Sequence, residues 1–154
     1  MGEKKIIYHC YGGAHSSVVA AAIHLGRLDP ARMPCDRELV DLELFDRQSK
    51  DGHGQLHFFG FDEDGNQVYS VGCRNAGTAV ENILKGVAGM LGAGKEVHFV
   101  DTLHCVNARM RAGGYLSRRL GLIRLGRPLV LSGTRAVYKK LVQLVAGTKH
   151  KAKA

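Results

Sequence analysis

The run Lys4-Lys5-Ile6-Ile7-Tyr8-His9-Cys10-Tyr11-Gly12-Gly13-Ala14-His15-Ser16-Ser17-Val18-Val19-Ala20-Ala21-Ala22-Ile23 decides the fold of this chain. Ile6, Ile7 and Tyr8 form a short apolar, β-branched and aromatic run, the pattern of a buried parallel strand. Gly12-Gly13 breaks it, because glycine reaches backbone angles with φ > 0 without steric cost. Ser16 or Ser17 is then the expected cap of a helix. Val18 to Ile23 is almost wholly apolar, so that helix is expected to pack against a sheet. The polar residues His9, Cys10, His15, Ser16 and Ser17 gather where strand meets helix.

That junction is the candidate site. A helix that starts just past a strand end aims unpaired N–H groups at one spot, and its dipole favours an anion there. Gly12, Gly13, Ser16 and Ser17 are therefore expected to cradle an anionic small molecule. A helix N-terminus and a nearby imidazolium both favour the thiolate form of a cysteine, which makes Cys10 the candidate nucleophile. His15 is the candidate acid/base or oxyanion donor.

Outside that run, strands alternate with helices. A connector covers Arg27 to Pro34, and Asp36 to Phe45 reads as a short helix. Leu56 to Phe61 and Gln67 to Val71 flank Asp62-Glu63-Asp64-Gly65-Asn66, which argues a β-hairpin. The Asp62-x-Asp64-Gly65 spacing does not fit a calcium loop, which places glycine sixth and glutamate twelfth. Asn75 to Leu91 is an expected helix with Val80, Ile83, Leu84, Val87 and Leu91 on one side. Gly89 to Lys95 matches the glycine and lysine spacing of a nucleotide loop. Glu96 stands where a hydroxyl is needed, however, and the element order is reversed, so it is not read as one.

Glu96 to Thr102 is expected as a second core strand and Asn107 to Leu120 as a basic helix that Gly113-Gly114 interrupts. Pro128 to Leu131 is expected as a third core strand, leading through Ser132-Gly133 to a helix capped by Thr134. The fold expected is α/β, a three-layer sandwich with a mainly parallel sheet and a β-hairpin insertion. Residues 1–148 would form one domain and 149–154 a basic frayed tail. Strand C-terminal ends then converge at His9-Cys10, Asp101 to Cys105 and Ser132-Gly133-Thr134. Thr134 joins the expected anion site, and Arg109 or Arg111 would supply charge. Cys10, His15, His104 and Cys105 could approach one another, but their spacings match no zinc pattern, so neither a metal nor another cofactor is expected.

Composition fits these readings. The chain has 154 residues, 45% hydrophobic and 23% charged, enough for one real core. Its formal charge is +8, of which Lys149, Lys151 and Lys153 supply three. That permits an anionic ligand, but no aromatic RNA-binding signature or zinc-finger spacing accompanies it, so nucleic acid is not an expected partner. The four cysteines contain no Cys-x-x-Cys pair and no signal peptide precedes them, which points to a reducing cytoplasm. The apolar run Val18 to Ile23 is far too short to span a membrane. The hairpin, residues 56–72, could pair with a second copy as a homodimer.

The pattern Cys10-x-x-Gly13-x-x-x-Ser17 followed by an apolar helix resembles the phosphocysteine loop of lactose/cellobiose-type sugar phosphotransferase IIB domains. It is also similar to a shortened phosphate loop of low-molecular-weight tyrosine phosphatases, which have Cys, five residues, Arg, then Ser or Thr. Here Cys10 is followed by four residues, then His15 and Ser16, and the phosphate-clamping arginine is missing. The only Asp-Pro, Asp29-Pro30, comes too early for the phosphatase general acid. The runs Tyr8 to Ser17, Gly113-Gly114-Tyr115-Leu116-Ser117-Arg118-Arg119-Leu120-Gly121 and Gly126-Arg127-Pro128-Leu129-Val130 resemble an uncharacterised bacterial family, a domain of unknown function seen in spore-forming lineages. That resemblance covers nearly the whole chain, implies a cytoplasmic protein and carries no activity. Two functions stand: binding of a phosphorylated or other anionic small molecule with Cys10-based phosphoryl chemistry, as an enzyme or phosphocarrier, or a non-catalytic regulatory or assembly module.

Overall fold

The computed structural model describes residues 3–47 and 52–153. Strand β1 covers Lys5–Cys10 and helix α1 Ser16–His24. A short helix α2, Asp36–Val40, leads to the hairpin of β2, His57–Phe61, and β3, Gln67–Gly72. Helix α3, Gly77–Met90, precedes β4, Val97–Asp101. A 3₁₀ turn over Leu103–Cys105, helix α4 over Ala108–Gly114 and a π-turn over Tyr115–Arg119 follow. Helix α5, Ile123–Lys153, closes the chain.

The sheet order is β2-β3-β1-β4, with β1 parallel to both β3 and β4 and β2 antiparallel to β3. The fold is thus α/β with a mostly parallel sheet. The hairpin is built into it, since β3 lies in the interior and pairs Cys10 with Gly72. The side chains of β1 alternate as a strand requires. Ile6 and Tyr8 join α1 and α5 in the main core, whereas Ile7 packs with Val71 and Cys73 on the α3 side. The chain runs from β1 to β3 on one flank, then returns past β1 to β4 on the other. The order therefore reverses at the β1/β4 boundary, the place where open α/β sheets form a ligand crevice.

Three expectations are corrected. Pro128 to Leu131 is not a third core strand, because it lies inside α5 with Pro128 itself helical. Four apolar residues cannot separate a strand from a buried helix by period alone. Helical spacing decides here, since Val130, Thr134, Val137, Tyr138, Leu141, Val145, Thr148 and Ala152 are all buried along one stripe. Thr134 consequently caps nothing. It is fully buried in mid-helix, and its hydroxyl has no hydrogen-bond partner among the described residues. Residues 149–153, expected to fray, continue α5, where Lys149 and Lys153 pair with Glu63 and the Lys4 ammonium donates to the Ala152 carbonyl.

Helix α5 packs against α4 through glycine. A Cβ on Gly126 would stand 2.5 Å from the Gly113 carbonyl oxygen and 2.5 Å from Ser117 N. A Cβ on Gly133 would stand 2.7 Å from the Met110 side chain. The seven-residue interval between Gly126 and Gly133 is two helical turns, so both glycines meet α4 on one face. On the other side of the sheet, the expected apolar stripe of α3 is only half used. Val80 and Leu84 are partly buried, while Ile83, Val87 and Leu91 are exposed. No described helix is long and apolar enough to cross a membrane.

Candidate functional site

The C-terminal end of β1 delivers His9 and Cys10 to opposite faces of the sheet. Cys10 points toward α1 and is 4% exposed. The Gly13 backbone N–H donates to its sulfur at 3.0 Å, and the Ser17 hydroxyl lies 3.1 Å from it. The turn that makes this possible needs glycine twice. Gly13 has φ 66°, in the left-handed region. Gly72, at the end of β3, lies under the loop: a Cβ there would stand 2.6 Å from the Gly12 carbonyl carbon.

The serines act differently from the caps expected of them. His15 occupies the N-cap position of α1, and no side chain caps that end. Ser16 and Ser17 sit inside the first turn, both buried. The Thr102 hydroxyl donates to the His9 carbonyl oxygen at 2.9 Å, so it accepts from the Ser16 hydroxyl 2.8 Å away. This chain ties α1 to β4 across the sheet reversal. Ser17 belongs to Cys10.

His15 meets Asp46, its Nε2 lying 3.0 Å from Asp46 Oδ1. The Asp46 side chain is fully buried, and its backbone is left-handed at φ 55°. The Ser117 hydroxyl reaches both carboxylate oxygens, at 2.7 and 2.8 Å, and Arg127 Nε donates at 3.1 Å. Arg118 Nε is 3.6 Å away. Burial alone pushes the Asp46 carboxyl up, but hydrogen bonds from His15, Ser117 and Arg127 and the charge on His15 outweigh it and hold the group at about 2. Asp46 N–H also donates to the Ala14 carbonyl at 3.0 Å, so Asp46 is tied to the loop by its backbone as well as by its carboxylate.

On the α3 face His9 is 3% exposed, with Glu81 and Asp101 carboxylates each 3.9 Å from a ring nitrogen. Gly77 leaves room for that ring, since a Cβ there would stand 3.3 Å from it. Cys73 lies near the same edge; burial and then the neighbouring Cys10 and Asp101 push its thiol up.

The structure thus places Cys10 at the end of β1, Gly12, Gly13 and His15 in the loop that follows, and Ser16 and Ser17 in the first turn of α1, and it removes the other expected residues from this junction. Thr134 belongs to α5. Arg109 donates to the Ser132 hydroxyl at 3.1 Å on the α4–α5 surface, and Arg111 is exposed on α4. Cys105 is buried in the main core and His104 is exposed. Among the described residues no three His, Cys, Asp or Glu side chains are grouped to hold a metal ion. Sequence reasoning missed Asp46, Ser117, Arg118 and Arg127. The last three lie within the runs Gly113 to Gly121 and Gly126 to Val130 already singled out, whereas Asp46 is a single acid with no local pattern around it.

No curated protein and no solved structure matches the chain. A family model does match, over residues 5–150, nearly the whole sequence. The chain belongs to the family described as "Protein of unknown function (DUF3189)".

Proposed function

We propose that the β1–α1 loop binds a phosphorylated or other anionic small molecule above Cys10, in the cytoplasm, and that Cys10 is the nucleophile of phosphoryl chemistry there. The observation that carries this reading is the donation from Gly13 N–H to the Cys10 sulfur at 3.0 Å. A sulfur that accepts a backbone hydrogen bond at a helix N-terminus is placed as an anion would be. Attack on a phosphate ester would form an S–P bond as the ester P–O bond breaks. The leaving oxygen would take a proton, and water or an acceptor would then cleave the S–P bond.

A second reading keeps the loop and drops the chemistry: a sensor that binds the anion without transfer. Two observations favour it, the 4% exposure of Cys10 and the commitment of His15 to Asp46. Calorimetry with inorganic phosphate and turnover of p-nitrophenyl phosphate separate them. Under the first reading the protein binds phosphate and releases nitrophenol, and Cys10→Ser abolishes release while binding persists. Binding without release supports the sensor. Absence of both leaves neither.

A further inference from the structure

We infer that the chain forms a two-fold dimer in which α3 of each copy packs on the uncovered sheet face of the other. The α3 side of the sheet is only half roofed. Helix α3 lies above β1 and beside β4, since Gly77 and Glu81 approach His9, whose other ring nitrogen faces Asp101. Over β2 and β3 the floor is aromatic. Phe58 pairs with Tyr69 across the ladder, their rings 5.3 Å apart, and the Phe61 ring is 5.2 Å from that of Phe58. Tyr69 in turn packs on the cluster of Ile7, Val71 and Cys73, which places these rings on the α3 side. The crossover from β3 through α3 to β4 takes the right-handed sense of parallel connections. That hand turns the helix edge one residue before the inward Leu84 and Ala88 toward β3 and β2. Ile83 and Val87 occupy that edge, and Met90 and Leu91 continue it.

The size of this face fits a second copy. Phe58, Phe61, Ile83, Val87, Met90 and Leu91 are 46% to 88% exposed. At about 150–200 Å² for a fully exposed side chain of this size, they present about 600–800 Å² of apolar surface. A monomer seldom leaves that much open, and one side of a stable interface needs about 800 Å². The face is also self-complementary. Its floor lacks a helix with an apolar edge, and each copy carries such a helix with that edge unused, so the contact closes as a two-fold. Charge agrees. A formal charge of +8 drives copies apart, but Glu81 and Lys85, the charged residues of α3, pair with each other. Finally, Gly86 and Gly89 are exposed inside α3, and a Cβ on either would meet no atom within 4 Å. Glycine is the poorest helix former after proline, and the chain's own packing does not require it here. Close approach of a second α3 does.

The test is sedimentation equilibrium of the full chain and three variants. The wild type should be dimeric at about 50 µM, because interfaces of this area bind at micromolar strength or better. Ile83→Glu sets a charge from each copy into the apolar seam and should weaken dimerisation about a hundredfold or more. Gly86→Gln puts a better helix former where the chain itself touches nothing. It should weaken dimerisation about tenfold, as bulk holds the helices apart, while the dilute monomer melts no lower than wild type. Leu125→Glu makes a similar change at an exposed position of α5, across the sheet from α3, and should leave dimerisation unchanged. A wild type that stays monomeric at about 50 µM overturns the inference. So does a dimer that Ile83→Glu and Gly86→Gln leave intact, which would place the contact at the β2 edge or elsewhere. Equal weakening by Leu125→Glu and Ile83→Glu overturns it as well. Should Ile83→Glu not fold, Gly86→Gln decides.

Discussion

Asp46 is the residue whose environment is costliest to build and whose loss should be felt furthest. Its carboxylate is buried, ionised and shared by His15, Ser117 and Arg127. Asp46→Asn keeps the shape but leaves cations facing a neutral amide, and should cost about 3 kcal/mol in denaturant unfolding. Because its carboxyl is held at about 2, below the unfolded value, its stabilisation is complete above about pH 4 and disappears as pH falls through about 2. Wild type should lose more stability than Asp46→Asn across that window. His24 makes a second pH-dependent term. Its Nδ1 lies 2.7 Å from Tyr8 Oη and its Nε2 3.0 Å from Asp62, and burial pushes its pKa down. A lowered histidine stabilises fully above about pH 6.5 and the contribution is lost as pH falls below that value. Melting temperature should therefore drop from pH 7.5 to 5.5, and His24→Gln should flatten that drop.

Elements carry their own tests, and they show what the sequence could say. The α4–α5 seam depends on glycine, so Gly126→Ala should destabilise by about 1–3 kcal/mol through overpacking, since its Cβ would meet backbone rather than a movable side chain. Pro128 sits exposed inside α5 and removes one backbone donor. Pro128→Ala should raise the melting temperature; a decrease would show that the proline shapes the seam. The β1–loop–α1 unit was legible because a strand, two glycines and an apolar helix follow one another within twenty residues, and each signal is local. The hairpin was legible from its turn. Helix α5 was not, because Pro128 and Gly133 punctuate it and only burial against α1 and α4 overrides those local signals. The Asp46 cluster was invisible for a related reason: His15, Asp46, Ser117 and Arg127 lie far apart in sequence and meet only through tertiary packing.

At the scale of the whole molecule, the fold places the loop where sheet order reverses and ties it to the buried Asp46 beside it. Helices α1 and α5 seal one face around Ile6 and Tyr8, while Gly72 of β3 and Thr102 after β4 brace the loop from either side. Gly72→Ala should therefore displace the Gly12–Gly13 backbone and disturb Cys10 without unfolding the sheet, seen as amide shifts confined to residues 10–17. The account stands on Cys10 being a thiol in an anion cradle rather than a core side chain. The direct measurement is alkylation of the folded protein near neutral pH, with each cysteine mapped, with and without inorganic phosphate. The account predicts that Cys10 labels faster than Cys73 and Cys105, although all three are buried, and that phosphate protects it. Slow labelling of Cys10 that phosphate leaves unchanged would contradict it.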